Sequence, residues 1–230
     1  MATLILVRHG RSTANTARVL AGRSPGVHLD ERGRRQAETV AERLSGLTIA
    51  RAVTSPLERC RETAAPLAAS GVELVVEAGL AECDYGSWTG RPITELVSEP
   101  LWETVQRQPS AARFPGGESL AEMSARASAA VRRHDREVEE AHGPSAVWAA
   151  FSHGDLIKSI VADALGMHLD LFQRVHVDPG SASVVRYGPH RPSVLAVNSH
   201  AGDLAWAAPQ PAAEAPAGDA VVGGGSGPTG

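Results

Sequence analysis

The sequence has almost no lysine and very little cysteine. Lys158 is the only lysine among 22 basic residues, so arginine is common throughout the chain and only clustered arginines indicate an anion site. The two cysteines, Cys60 and Cys83, cannot form a disulfide framework and lack the spacing of metal ligands. We expect both to be ordinary packing residues in a protein of a reducing compartment.

Long hydrophobic runs and an excess of positive charge are also missing. The opening apolar run, Leu4 to Val7, is far too short to span a membrane and has neither a basic segment before it nor a small-residue cleavage site after it. We therefore expect a cytoplasmic protein with no membrane partner. The net charge of -4 disfavours a nucleic-acid partner, which needs a basic face. A small anionic substrate needs only a local cationic pocket.

Short apolar strands alternate with amphipathic helical segments, and this pattern predicts a single α/β domain over residues 1–206. Two final strands, at residues 183–187 and 194–197, are close enough to form an antiparallel hairpin beside a mostly parallel sheet. We expect a three-layer α/β/α sandwich. Residues 78–118, rich in Gly, Pro and Trp, predict an excursion beside the site. Residues 207–230, almost without large apolar side chains, predict a disordered tail.

Two histidines occupy equivalent places in this pattern. His9 follows the opening strand, His153 follows a strand predicted at residues 146–151, and a glycine comes after each histidine. A lone histidine at a strand end is more often structural, but two at the ligand-binding edge of an open sheet favour a shared chemical role. Arg8 and Arg59 bring two guanidiniums toward the same edge. The planar fork of arginine suits bidentate binding of phosphate.

Other kinds of site lack their sequence signals. A zinc site on the two histidines would need further ligands, and no HExxH or paired CxxC motif supplies them. No phosphate-binding loop of the form GxxxxGK[ST] is present, which disfavours a nucleotide-binding protein. We therefore expect neither a metal nor an organic cofactor.

Six sequence blocks carry a resemblance to a known family. They begin with Arg8-His9-Gly10 followed by Ser12 and Asn15, and continue with LDERGRRQA from residue 29, SPLER from residue 55, LAE with YGSWTG from residue 80, FPGGES from residue 114, and SHG from residue 152. In this order they resemble the histidine phosphatase superfamily, which has the phosphoglycerate mutase-like fold. The resemblance covers essentially residues 3–200.

The resemblance implies roles for particular residues and no metal. By it, His9 attacks phosphorus and becomes transiently phosphorylated, and Glu82 gives a proton to the leaving oxygen. The residues implied to bind the phosphoryl oxygens or the substrate are Arg8, Arg59, His153, Asn15 and Ser12. Fixed cationic donors can stabilise the charge that phosphoryl transfer builds on oxygen. The expected function is a metal-independent phosphomonoesterase for a small phosphorylated metabolite, and a homodimer is compatible with the resemblance.

Two alternative functions remain open at this stage. Cofactor-dependent phosphoglycerate mutases share the core, but they resemble one another in having an arginine after the catalytic glutamate and a longer excursion, whereas here Cys83 follows Glu82. A phosphatase is therefore favoured over a phosphomutase. The other alternative is a silent module that binds a phosphorylated ligand, because fold alone does not establish activity. The presence of every implied core residue disfavours it.

Some residues depart from the family pattern or stay ambiguous. Arg11 stands where the family usually has glutamate, and it either adds positive charge near the entrance or points into solvent. Asp155 follows His153-Gly154, where we favour a carboxylate at a helix N-terminus over a substrate contact. Three arginines of the excursion, Arg91, Arg107 and Arg113, are expected to be surface residues.

Overall fold

The computed structural model describes residues 2–204 and Ala208. The strands are β1 (Thr3–Arg8), β2 (Ile49–Thr54), β3 (Leu74–Val76), β4 (Val147–Ser152), β5 (Ala182–Tyr187) and β6 (Pro192–Ser199). The helices are α1 (Thr13–Ala17), α2 (Glu31–Leu44), α3 (Glu58–Ala69), α4 (Ile93–Leu96), α5 (Pro100–Arg107), α6 (Leu120–His142) and α7 (Gly154–Ala164).

The six strands form one mixed sheet in the order β3-β2-β4-β1-β5-β6. The first four of these are mutually parallel, while β5 runs antiparallel to β1 and β6 antiparallel to β5. The predicted hairpin at the end of a mostly parallel sheet is therefore confirmed. Strands β1 and β4 lie in the middle and are buried on both faces, which explains why they read as continuous apolar runs rather than alternating ones.

Side chains of β1 alternate between two hydrophobic layers. Leu4 and Leu6 pack into the cluster that holds α6 and α7, whereas Ile5 and Val7 pack into the cluster that holds α2 and α3. Successive side chains of a strand point to opposite faces of the sheet, so one apolar strand serves both layers. The predicted three-layer α/β/α sandwich is confirmed.

The pairing of β1 with β4 places the two histidines side by side. Arg8 lies opposite Ser152 in the parallel register, and the His9 N–H donates to the Ser152 carbonyl at 2.9 Å. His9 and His153, each the next residue along its strand, therefore leave the sheet together at its carboxyl edge. Open α/β sheets bind ligands at this edge.

Two glycines allow the loop after β1 to pass close to the start of α2. A Cβ atom on Gly10 would lie 2.5 Å from the Gly33 carbonyl oxygen, and a Cβ on Gly33 would lie 2.0 Å from the Arg11 carbonyl oxygen. Both neighbours are backbone atoms, so a side chain at either position would require the backbone to move. The close approach fixes the path of the chain just beyond His9.

Residues 78–118 pack against α6, and their buried aromatic rings belong to the hydrophobic cluster that holds α6 and α7. The ring of Phe114 makes edge contacts with Tyr85 at 4.9 Å and with Trp88 at 5.3 Å between centroids, and Trp88 stacks on Trp102 at 6.2 Å. Two short helices, α4 and α5, lie within this segment. This packing gives the excursion a fixed position beside the cavity.

Three further expectations concern the cysteines, the tail and membrane-spanning helices. Cys60 and Cys83 are free and buried in the apolar clusters, as predicted. The tail predicted from residue 207 lies outside the described residues except for Ala208. Within the described part of the chain, no helix combines the length and the apolar character needed to cross a membrane.

Candidate active site

A cavity of about 430 Å³ opens at the carboxyl edge of the sheet. Its walls come from the end of β1, the segment 12–22, α3, the excursion and the start of α7. Six of the seven sequence-predicted site residues line it, namely Arg8, His9, Ser12, Asn15, Arg59 and Glu82. His153 is fully buried and lies behind this surface.

The His9 ring is held in one orientation with one nitrogen facing the arginines. Its Nδ1 lies 2.7 Å from the Gly10 carbonyl oxygen, which can only accept, so Nδ1 carries the proton. Its Nε2 then accepts from Arg59 Nε at 3.3 Å. Burial lowers the pKa of His9 well below its ordinary value, and the charges of Arg59 and Arg8 lower it further. The ring is therefore neutral, with its lone pair on Nε2.

Helix α3 supports this orientation through Thr63. The Thr63 hydroxyl accepts from the Gly10 N–H at 3.0 Å and donates to the Arg59 carbonyl at 2.6 Å. Gly10 thus holds the His9 ring through its carbonyl oxygen. Its own N–H is held by the helix that carries Arg59. Thr63 lies four residues beyond the quoted SPLER block, and its part in fixing the histidine depends on this long-range contact.

Arg59 connects the two histidines. Its Nη2 donates to the Gly22 carbonyl at 2.8 Å and to His153 Nδ1 at 3.1 Å, while its Nε donates to His9 Nε2. The guanidinium is almost completely buried. It lies in the first turn of α3, and the loop between β2 and that helix delivers it beside the ends of β1 and β4.

Buried guanidinium N–H groups lack a partner at the cavity wall. Arg8 Nη1 donates to the Val177 carbonyl at 2.6 Å, but the buried Arg8 Nε has no hydrogen-bond partner within the described residues. Arg59 Nη1 is likewise buried without a partner there. Such groups are rare in folded proteins because each costs desolvation free energy. Two of them beside His9 are donors suited to an anionic ligand.

His153 is a neutral acceptor within a tightly packed environment. Its Nδ1 accepts from Arg59, and its Nε2 lies 2.8 Å from the Ser55 hydroxyl oxygen. Because Arg59 can only donate, the proton lies on Nε2 and is given to Ser55. Burial lowers the pKa of His153 well below its usual range, and the nearby Arg59 adds to this. The His153 and His9 ring centroids are 5.3 Å apart.

The carboxyl group of Glu82 is buried and has a strongly altered pKa. Burial, with a further contribution from the charge of Asp155, raises the pKa of Glu82 to about 7. Its Oε1 accepts from the Cys83 N–H at 2.9 Å, and its Oε2 lies 3.8 Å from His153 Nδ1. Glu82 is thus no solvated loop carboxylate. A carboxyl group that titrates near neutral pH can both give and take a proton.

Two arginines that sequence reasoning missed hold the backbone of Glu82. Arg23 Nε and Arg126 Nη2 donate to its carbonyl oxygen at 2.8 and 3.0 Å. Both guanidiniums also bind the carboxylate of Glu118, Arg23 at 3.0 Å and Arg126 at 2.6 Å. Among so many arginines nothing in the sequence distinguishes these two. Only Glu118, which belongs to the quoted FPGGES block, could have drawn attention to them.

Ser12 and Asn15 form a pair at the start of α1. The Ser12 hydroxyl accepts from the Asn15 N–H at 3.3 Å and lies 2.9 Å from Asn15 Oδ1, which also accepts from the Ser12 N–H. This reciprocal arrangement is a capping box. The Ser12 hydroxyl is therefore committed to the helix end, whereas the amide nitrogen of Asn15 remains for another acceptor.

The ambiguous residues have distinct positions. Arg11 is half-exposed and pairs with Asp30 at 2.6 Å, away from the cavity lining. Asp155 lies in the first turn of α7, as favoured, and also lines the cavity, where it accepts from the Tyr85 hydroxyl at 2.9 Å. The three arginines of the excursion form ion pairs and do not line the cavity. Arg107 and Arg113 are exposed, as expected, whereas Arg91 is half-buried.

Unpartnered guanidinium donors beside a neutral histidine, at the carboxyl edge of an α/β sheet, suit an enzyme that acts on phosphate esters. The family can be stated more closely. Residues 4–200 match the model described as histidine phosphatase superfamily (branch 1), and the chain belongs to this family.

Relatives within the family have different names. The chain is 33% identical over 213 residues to phosphoserine phosphatase 1 of Hydrogenobacter thermophilus, covering 89% of this chain and 96% of that one. It is 34% identical over 209 residues to a protein of Photorhabdus laumondii named "Probable phosphoglycerate mutase GpmB", covering 89% and 94% of the two chains. The crystal structure of phosphoserine phosphatase from Entamoeba histolytica with 3-phosphoglyceric acid superposes with a TM-score of 0.77 at 23% identity, covering 87% and 98%.

The comparisons confirm three of the predictions made from the sequence. The family is the one that the six blocks indicated, the fold is phosphoglycerate mutase-like, and the enzyme is a phosphatase of the histidine phosphatase type. The roles of individual residues and the assignment of residues 1–206 to one domain stay predictions.

Proposed function

We propose that this chain is a metal-independent phosphomonoesterase that forms a phosphohistidine intermediate on His9. The observation that carries the proposal is the neutral, oriented His9 ring facing buried guanidinium N–H groups that have no partner in the described part of the chain. A neutral imidazole is a nucleophile, and unpaired cationic donors suit the oxygens of a phosphoryl group.

In the first step, the lone pair of His9 Nε2 attacks phosphorus and the bond between phosphorus and the leaving oxygen breaks. Arg8 Nε and Arg59 Nη1 donate to the phosphoryl oxygens as their charge redistributes. The hydrogen bond from Arg59 Nε to His9 Nε2 must break when the substrate binds. The Arg59 Nε–H group can then donate to the phosphoryl group. Asn15, which also lines the cavity, can add its amide donors, with Ser12 holding Asn15 in place.

Glu82 supplies the proton that the leaving oxygen needs. With a pKa of about 7, a large share of its carboxyl groups is protonated at neutral pH. After the leaving group departs, the resulting carboxylate takes a proton from water as the water oxygen attacks phosphorus. The nitrogen–phosphorus bond then breaks, and His9 returns to its neutral form with inorganic phosphate as the second product.

His153 contributes from behind the cavity wall. In the structure its Nδ1 accepts from Arg59. A bound phosphoryl dianion would favour the protonated ring, which could then donate to an oxygen. We therefore propose two roles for His153. It positions Arg59 before the substrate binds, and it binds the phosphoryl group afterwards.

The substrate class is a small phosphomonoester. A cavity of about 430 Å³ accommodates a metabolite of a few carbon atoms together with its phosphoryl group. Relatives named phosphoserine phosphatase and phosphoglycerate mutase make phosphorylated amino acids and phosphoglycerates the first compounds to try. A phosphomutase is the second candidate, since some relatives carry that name.

Phosphate release in the presence of EDTA tests the proposal. Purified protein should release inorganic phosphate from p-nitrophenyl phosphate and from at least one of a panel of small phosphomonoesters, at a rate that EDTA leaves unchanged. Loss of activity with EDTA, restored by added metal, would contradict a metal-independent mechanism. Transfer of phosphate between positions of a phosphoglycerate without release would instead establish the mutase.

The raised pKa of Glu82 predicts the alkaline side of the pH profile. The first chemical step needs Glu82 protonated, and its pKa is about 7, so the value of kcat/KM for an alkyl phosphate should fall as pH rises through about 7. The neutral His9, whose pKa is lowered, adds no loss in this range because it is already deprotonated. Steady-state rates between pH 5 and about 9 measure this limb, and a profile that rises through neutral pH would contradict the assignment.

A further inference from the structure

The lining of the cavity also includes Arg18, a cationic side chain that lacks an acidic partner within the part of the chain that the structure describes. Arg18 is exposed and lines the cavity. Within the described residues no ion pair or side-chain hydrogen bond engages its guanidinium, in contrast to Arg91 and Arg113 of the excursion, which are paired with glutamates. Lys158, another cation of the cavity lining, already contacts Asp155 and Gln173.

The backbone of Arg18 has a conformation that an arginine rarely adopts. Its φ of 55° and ψ of 41° lie in the left-handed region, at the C-terminal end of α1. Side chains other than glycine, asparagine and aspartate seldom occupy this region because the Cβ atom approaches the following backbone. Conformations of this kind recur at functional sites, where the surrounding structure holds them in place.

Neighbouring backbone keeps Arg18 in this position. The Arg18 N–H donates to the Asn15 carbonyl at 3.2 Å, and the Arg18 carbonyl accepts from the Ile93 N–H at 3.0 Å. Leu20 continues the contact with the excursion, since its N–H donates to the Arg91 carbonyl at 2.9 Å. Arg18 is thus tied on one side to Asn15, another residue of the cavity wall, and on the other side to the excursion.

We infer that Arg18 determines specificity by binding a carboxylate on the leaving group of the substrate. This inference rests on the proposed phosphatase function and goes beyond it by naming the residue that recognises the non-reacting end. A single guanidinium with free donors matches a carboxylate, which it can bind through two parallel hydrogen bonds. A second phosphate would call for more positive charge than one arginine and a lysine already paired with Asp155.

Matched pairs of esters test the inference. Phosphoserine differs from phosphoethanolamine, and 3-phosphoglycerate from glycerol 3-phosphate, by the presence of a carboxylate. The wild type should prefer the carboxylate member of at least one pair in kcat/KM. Arg18→Gln should lower kcat/KM for that member by about tenfold, mostly through a higher KM. It should leave the paired ester and p-nitrophenyl phosphate within about twofold, because Arg18 contacts a part of the substrate that does not react.

Two further variants separate a binding role from a structural one. Arg18→Lys should restore part of the preference, because it keeps the charge and loses the fork. Arg136→Gln should change nothing, because Arg136 is exposed on α6 and does not line the cavity. Equal losses on both members of each pair in Arg18→Gln, or a wild type that prefers neither carboxylate ester, would overturn the inference while the phosphatase function stands. A wild type that releases phosphate from no ester would overturn both.

Discussion

Replacing His9 by alanine should abolish turnover of every phosphomonoester while leaving the protein folded. The expected loss in kcat is on the order of 10⁴-fold or more, because without Nε2 no atom remains to accept the phosphoryl group. His9 follows β1 in a loop and contributes to the cavity wall rather than to either apolar cluster. Its replacement should therefore shift the melting temperature by only a few degrees. Phosphate release and thermal unfolding, measured on the same preparation, give both numbers.

A direct test of the intermediate accompanies the kinetic one. After mixing with a labelled ester and quenching in alkali, which preserves a nitrogen–phosphorus bond, the wild type should carry label on His9 and the variant should carry none. His142→Ala is the matched control, because His142 lies exposed in the last turn of α6. Full activity in His9→Ala would refute the mechanism. Equal loss in His142→Ala would show that the effect is not specific to the site.

The positions of both histidines were predictable because each follows a strand that can be recognised locally. The apolar runs that end before His9 and before Ser152-His153 are continuous, as expected for the two central strands. The local sequence pattern does not reveal the order of the strands in the sheet. The register that sets Arg8 opposite Ser152 is a property of the whole sheet, and it brings the two rings within 5.3 Å.

Helix α1 escaped prediction because it contains too few residues for a period to show. Helix α1 has five residues, less than the length at which an apolar stripe can be distinguished from chance. Its capping box depends on Asn15, which the sequence comparison treated as a phosphate contact. The left-handed conformation of Arg18 at the end of this helix could not be inferred, because glycine or asparagine is the residue that normally marks it.

The ionisation of Glu82 is another property that the residue type alone could not reveal. An exposed glutamate titrates near pH 4, whereas the burial of Glu82 and the neighbouring charge of Asp155 raise its pKa to about 7. Asp155 comes from the start of α7, beyond the next strand, so their proximity is a result of folding. The negative charge of Asp155 disfavours an anion close to it in the cavity. The same charge helps to keep the carboxyl group of Glu82 protonated.

The arginines act in the same direction on the pKa of both groups, which favours the neutral form of His9 and the charged form of Glu82. The arginines lower the pKa of His9, which frees its lone pair, and they also oppose the rise in the pKa of Glu82. Burial decides the outcome for both, because it disfavours the charged form of each group. The result is a neutral nucleophile beside a neutral acid at pH values below about 7, which are the two protonation states that the first step needs.

Glu82→Gln should separate substrates by the quality of their leaving groups. The amide keeps the shape of the side chain and can still accept from the Cys83 N–H, but it has no acidic proton to give. An alkoxide leaves poorly without a proton, so kcat/KM for alkyl phosphates should fall by about 10²- to 10⁴-fold. The p-nitrophenolate ion leaves without assistance, so p-nitrophenyl phosphate should be slowed by about tenfold or less. Steady-state rates on both ester types measure the difference.

The pH profile supplies a second, independent outcome for the same variant. Because the alkaline limb near pH 7 is assigned to the carboxyl group whose pKa is raised, Glu82→Gln should flatten it for the alkyl ester. Glu38→Gln, on the exposed face of α2, should keep both the limb and the rates. Equal slowing of alkyl and aryl esters, with the limb retained, would remove Glu82 from the acid role and assign the alkaline limb to another group of the cavity.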